Sequence, residues 1–177
     1  MKAMLIGLSI LGFTNLSSAQ NLKHNVSYVH MDEIVVSPMK NVSYYNSVYN
    51  PYASKEVIML ESDVSNYDVS NSKIFDNTIE TYKVWFENTE GSILAVYNKD
   101  GELINSVEKF EHARLPESVR LTLKNTYPDW TLNSTVYRVN YFKGIDVKKV
   151  YNIQLKRDRE KVNLKIDCQG VILRSSD

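Results

Sequence analysis

A single cysteine, four prolines and six glycines in a chain of 177 residues each remove a class of architecture. Cys168 cannot form an internal bridge, so the fold is no disulfide scaffold and must be held by packing. So little Gly and Pro, with 43% hydrophobic and 24% charged residues, excludes collagen-like, low-complexity and disordered chains. The few glycines leave no Gly-rich phosphate cradle and no paired-histidine motif opens a helix, which argues against a nucleotidyltransferase. No Gly-x-Ser-x-Gly elbow carries a nucleophilic serine. Long apolar runs are missing too: Ala3 to Phe13 is about half of the roughly 20 residues that a membrane-crossing helix needs.

That short run has another use. Met1-Lys2 gives a positive start and Ser17-Ser18-Ala19 supplies small residues, so the segment reads as a secretory signal cleaved after Ala19. The expected protein is exported, periplasmic or secreted, with no transmembrane segment in its mature form. Gln20 follows the cleavage point with no cysteine nearby, so lipid attachment to an N-terminal cysteine is not expected.

Without residues 1–19 the chain has 20 basic and 21 acidic side chains, a formal charge of −1. The total hides an asymmetry. Residues 20–111 carry 7 Lys/Arg and 14 Asp/Glu, whereas 112–177 carry 13 and 7, which implies that the two parts attract each other. The large positive excess of a non-specific nucleic-acid binder is absent.

Residues 20–54 show little periodicity, are broken by Pro38 and Pro51, and read as an aromatic-rich arm with a short extended stretch near Glu33 to Val36. From Lys55, the spacing of Val57, Leu60, Val64 and Tyr67 predicts a helix ending near Asp68. Tyr82 to Phe86 and Ile93 to Tyr97 read as strands, and Asn98-Lys99-Asp100-Gly101 as a hairpin turn into Leu103 and Ile104. Pro116 opens a second helix through Val119, Leu123 and Tyr127, and Pro128 stops it. Strands follow near Ser134 to Phe142, Val147 to Lys156, Lys161 to Asp167 and Val171 to Arg174. The expected fold is α+β: two helices on one face of a twisted antiparallel sheet, over residues 55–177. Asn98 to Ser106 resembles Asp167 to Ser175 at an offset of 69, the mark of two degenerate helix-plus-sheet repeats.

Tyr97-Asn98-Lys99-Asp100-Gly101, Leu115-Pro116, Tyr127-Pro128-Asp129-Trp130 and Asp167-Cys168-Gln169-Gly170 form a series. In these residues the chain resembles the PepSY-like group of exported bacterial proteins, related in fold to the β-lactamase inhibitory protein. The resemblance covers about Tyr82 to Leu173, and its motifs are mostly turns and helix ends. It implies an α+β domain whose sheet surface binds other proteins, sometimes inhibiting them, with no catalytic residues.

Candidate chemistry is sparse. His24, His30 and Asp32 would share one side of an extended arm, but neither spacing nor ligand count matches a metal site. Cys168 would need His112 as a base, and nothing local orients the pair. Asp63, Asp68 and Asp76 are too irregular for a calcium loop. No cofactor is expected.

Surface residues are more informative. Strand alternation turns Tyr82, Val84 and Phe86 toward the helices and Lys83, Trp85 and Glu87 away. By the same rule Tyr137, Val139, Tyr141, Tyr151, Ile153, Leu155, Val162, Leu164 and Ile166 point inward. Arg138, Asn140, Asn152, Gln154, Lys161, Asn163 and Lys165 point outward. Tyr44, Tyr45, Tyr49 and Tyr52 in the arm are further contact candidates, and the arm could instead fold over Trp85. The function expected is a monomeric, non-catalytic protein- or peptide-binding module, inhibitor-like on the resemblance. The alternative is a structural or accessory envelope protein assembling through its tyrosines.

Overall fold

The computed structural model describes the backbone of residues 26–29 and residues 39–176. The expected signal segment, the stretch near Glu33 to Val36, and His24, His30 and Asp32 lie outside the described residues. Three helices, α1 (Val42–Val48), α2 (Lys55–Asn66) and α3 (Glu117–Thr126), accompany eight strands. These are β1 (Val26–Val29), β2 (Thr81–Asn88), β3 (Gly91–Asn98), β4 (Leu103–Glu111), β5 (Thr131–Phe142), β6 (Ile145–Arg157), β7 (Glu160–Asp167) and β8 (Ile172–Ser176). They form one sheet in strict chain order. β2 to β8 pair antiparallel, and β1 joins β2 in parallel at the edge.

The α+β class is as expected, with one helix more. In α2 the Ser54 hydroxyl accepts the Val57 N–H at 3.3 Å, capping a helix whose Val57, Leu60 and Val64 are buried. Pro116 occupies the N-cap of α3, whose Val119 is buried. The expected inward residues of β2, β5, β6 and β7 are buried, and with the buried residues of all three helices they form one core. The helices therefore share a face of the sheet.

The segment before Lys55 contributes to that core, which begins earlier than the expected boundary. α1 packs on α2, β5 and β6, and its Tyr44 and Val48 are fully buried. The Asn41 side chain accepts the Leu103 N–H at 2.8 Å and donates to the Gly101 carbonyl at 3.3 Å, tying the start of α1 to the β3–β4 turn.

Two turns share one hydrogen-bond pattern. Asn98 Oδ1 accepts the N–H groups of Asp100 and Glu102, and Asp167 Oδ1 accepts those of Gln169 and Val171. The Gly101 and Gly170 N–H groups donate to the Asn98 and Asp167 carbonyls, and both glycines have positive φ, 79° and 89°. The sequence repeat at these turns is thus a repeat of backbone geometry. Gly91 answers a different demand: a Cβ there would lie 2.1 Å from the Lys109 carbonyl oxygen, where β4 crosses close to β3.

Candidate functional site

The inner face of the sheet is covered by helices, and side chains of alternate parity form the opposite, outer face. Ladder register aligns these outer residues in rows across the strands. One row runs Trp85, Leu94, Val107, Asn140, Lys148 from β2 to β6. The next runs Ser92, Lys109, Arg138, Val150, Asp167, and a third Glu111, Val136, Asn152, Lys165, Arg174. Lys83, Asn163 and Lys161 lie on the same face by register.

Trp85 is half-buried, and its indole N–H donates to Glu87 Oε2 at 3.0 Å. Within the arm, α1 packs on the inner face, whereas β1 lies at the sheet edge with Tyr28 in register with Trp85. Amide side chains link three strands: Asn133 donates to Gln154 Oε1 at 2.7 Å, and Gln154 donates to Asn163 Oδ1 at 2.9 Å. Beside this relay a groove of about 480 Å³ is lined by Asn152, Gln154, Asn163, Lys165 and Arg174 among others.

Charge on the face is uneven. Over β2 to β4, Lys83 and Lys109 are balanced by Glu87 and Glu111, and Lys109 pairs with Glu111 at 2.6 Å. Over β5 to β8 the charged outward residues are mainly cations. The expected attraction between the acidic and basic parts of the sequence is not carried by ion pairs: among the described residues, only Lys143–Glu102 joins them, at 2.9 Å. Six of the 13 cations of the C-terminal half instead lie on the outer face, away from the acids of α2.

No family model matches the chain, and no curated protein matches it. Among solved structures, it is similar to a DUF2874 family protein from Bacteroides ovatus, at 16% identity and TM-score 0.35 over 55% of this chain and 69% of that one. A DUF2874 family protein from Bacteroides uniformis matches at 11% identity and TM-score 0.36, over 55% and 70%. A BLIP-like protein from Bacteroides fragilis matches at 13% identity and TM-score 0.36, over 75% and 90%. At these TM-scores the likeness carries no argument.

The arm tyrosines are not gathered on the outer face. Tyr44, expected as a surface contact, is fully buried: its hydroxyl donates to Glu108 Oε1 at 2.8 Å, and its ring meets Tyr141 edge-on at 5.2 Å. Its place on the buried stripe of α1 with Val48 explains this. Tyr45 is half-buried against Tyr49, and Tyr49 and Tyr52 are exposed on the helix side.

The most unusual chemistry lies in the core and was not foreseen. Glu61 of α2 and Glu108 of β4 are both fully buried. Both Glu61 carboxyl oxygens and Glu108 Oε2 have no hydrogen-bond partner among the described residues. Glu108 Oε1 is held by Tyr44 and by Ser106, each at 2.8 Å. Burial, then the charge of Glu108, raises the Glu61 carboxyl to about 9, opposed by Lys149. Burial also raises Glu108, to about 7, against the two hydrogen bonds and Lys149. Spacing held the signal for Glu61, four residues after Val57 and three before Val64, on the apolar stripe.

Catalysis finds no support in the remaining candidates. Burial raises the Cys168 thiol, Lys149 opposes this, and the residue is half-buried, so the thiolate nucleophile is disfavoured. Asp68 forms an ion pair with Lys40. Among the described residues no group of three or more His, Cys, Asp or Glu could hold a metal, and no helix is long and apolar enough to cross a membrane.

Proposed function

We propose that this chain is an exported, non-catalytic module that binds another protein or peptide on the outer face of its sheet. The observation that carries the reading is a sheet whose described helices lie on one side, and whose other side presents a half-buried tryptophan, an amide relay and outward cations. Aromatic and arginine side chains dominate binding energy at interfaces. The turn and helix-end motifs that resemble the PepSY-like group agree with it, inhibitor-like action included. Export rests on the signal-like residues 1–19.

Crosslinking pull-down with the signal-free protein identifies the partner, and Trp85→Ala then tests the face. The variant should lose about 2 kcal/mol or more of partner affinity while its stability changes by less than about 1 kcal/mol. A variant that binds normally, or that unfolds easily, would sink the assignment. The second reading, assembly through the exposed rings of Tyr49 and Tyr52, predicts instead that Tyr49→Ser with Tyr52→Ser abolishes self-association.

A further inference from the structure

Two features of the outer face bear on the chemistry of what it takes. Over β5 to β8 the outward cations are Arg138, Lys148, Lys156, Lys161, Lys165 and Arg174, none of which forms an ion pair among the described residues. The outward carboxylates of this half are Asp146, at the β5–β6 hairpin end, and Asp167, which accepts the backbone N–H groups of its own turn. Over β2 to β4 the charges balance, and Trp85, Leu94 and Val107 stand side by side across three strands, with Val107 45% exposed. An apolar strip thus adjoins a cationic field. Between them Asn140 and Asn152 offer donors and acceptors that match peptide groups.

Resting on the reading of the face as a binding surface, we propose that its occupant is an extended acidic segment of another protein. An apolar side chain sits on Trp85, Leu94 and Val107, and carboxylates spread over Arg138, Lys148, Lys165 and Arg174. The scale fits. From β2 to β8 is six inter-strand steps of about 4.8 Å, or about 29 Å, which about nine extended residues at about 3.3 Å each would span. Guanidinium groups of Arg138 and Arg174 favour carboxylates by bidentate pairing, and the uncompensated field raises the on-rate of an acidic partner.

The test is fluorescence anisotropy of the signal-free protein at physiological salt, with a fluorescein-labelled peptide of alternating glutamate and serine containing one phenylalanine. Versions with glutamine or lysine in place of glutamate are run beside it. The glutamate peptide should bind about tenfold or more tighter than the glutamine version, and the lysine version should not bind. Lys165→Glu with Arg174→Glu should abolish binding, and the milder Lys165→Gln with Arg174→Gln should weaken it about tenfold with the circular dichroism spectrum unchanged. Equal binding of the glutamine version, lost in Trp85→Ala, would overturn the acidic class and leave the binding face standing. Binding by no version would overturn both. Capture of phosphatidylglycerol vesicles without peptide binding would assign the cations to a lipid surface and overturn the proposal.

Discussion

Glu61→Gln should flatten the pH dependence of this protein's stability. In the folded chain Glu61 is fully buried with both carboxyl oxygens unpartnered, beside Glu108, and it keeps its proton up to about 9, against an ordinary value of 4.5. The unfolded chain releases that proton near the ordinary value, so above it the folded state binds more protons than the unfolded. The contribution of Glu61 to stability is then greatest below about pH 4.5 and falls as pH rises toward about 9. One extra proton is worth about 1.4 kcal/mol per pH unit, so between about pH 5 and about pH 8 the loss is about 4 kcal/mol. That is a large part of the 5–15 kcal/mol that typically holds a domain. Glu108, raised to about 7, adds to the fall at the lower end of the interval, while Lys149, whose charge favours both carboxylates, moderates it. Because the two acids interact, the pair titrates as a unit. Urea unfolding followed by tryptophan fluorescence at several pH values measures the slope. The glutamine variant should gain about 3 kcal/mol over the parent near pH 8 and differ by less than about 1 kcal/mol near pH 5. A parent midpoint that stays flat over this range, or a variant that slopes in parallel with the parent, would refute the reasoning.

Gly91→Ala should cost about 3 kcal/mol or more, because its Cβ would meet the Lys109 carbonyl and the Phe110 backbone rather than a flexible side chain; thermal denaturation checks this. Cys168 should react slowly with a thiol reagent at neutral pH and faster only once the protein unfolds, since burial raises its thiol, and Cys168→Ser should shift the thermal midpoint little. Native protein should have the intact mass of a chain beginning at Gln20; retention of Met1 to Phe13 would contradict the signal reading.

Much of the sheet was legible because its inner residues are apolar and its outer ones polar. Val162, Leu164 and Ile166 alternate with Lys161, Asn163 and Lys165, so period and face could be read together. β4 was legible only to Ile104, because two of its buried positions hold Ser106 and Glu108, and alternation of polarity vanishes where the core itself is polar. α1 was missed for a different reason. Seven residues make barely two turns, too few for a period to show, and its Val- and Tyr-rich composition favours strands. Its stability comes from contacts remote in sequence, which no local window contains. The outer positions of Lys83, Trp85, Arg138, Asn140, Asn152, Gln154, Lys161 and Asn163 followed from alternation. The amide relay did not, because which side chains touch across strands depends on register.

The strict chain order of the strands has a consequence for the order of folding events. Consecutive strands from β2 onward pair antiparallel through short turns, except where α3 links β4 to β5, so most of the sheet can zip hairpin by hairpin at small entropic cost. α1 cannot join early. Its ties reach residues 62, 64 and 101 positions away, through Asn41 to Leu103, Tyr44 to Glu108 and Asn50 to Tyr151. The first of the described helices in chain order is therefore late to dock, and Glu108 lacks its Tyr44 hydrogen bond until it does. Its arrival brings the Tyr44 hydroxyl to Glu108 and closes that part of the core.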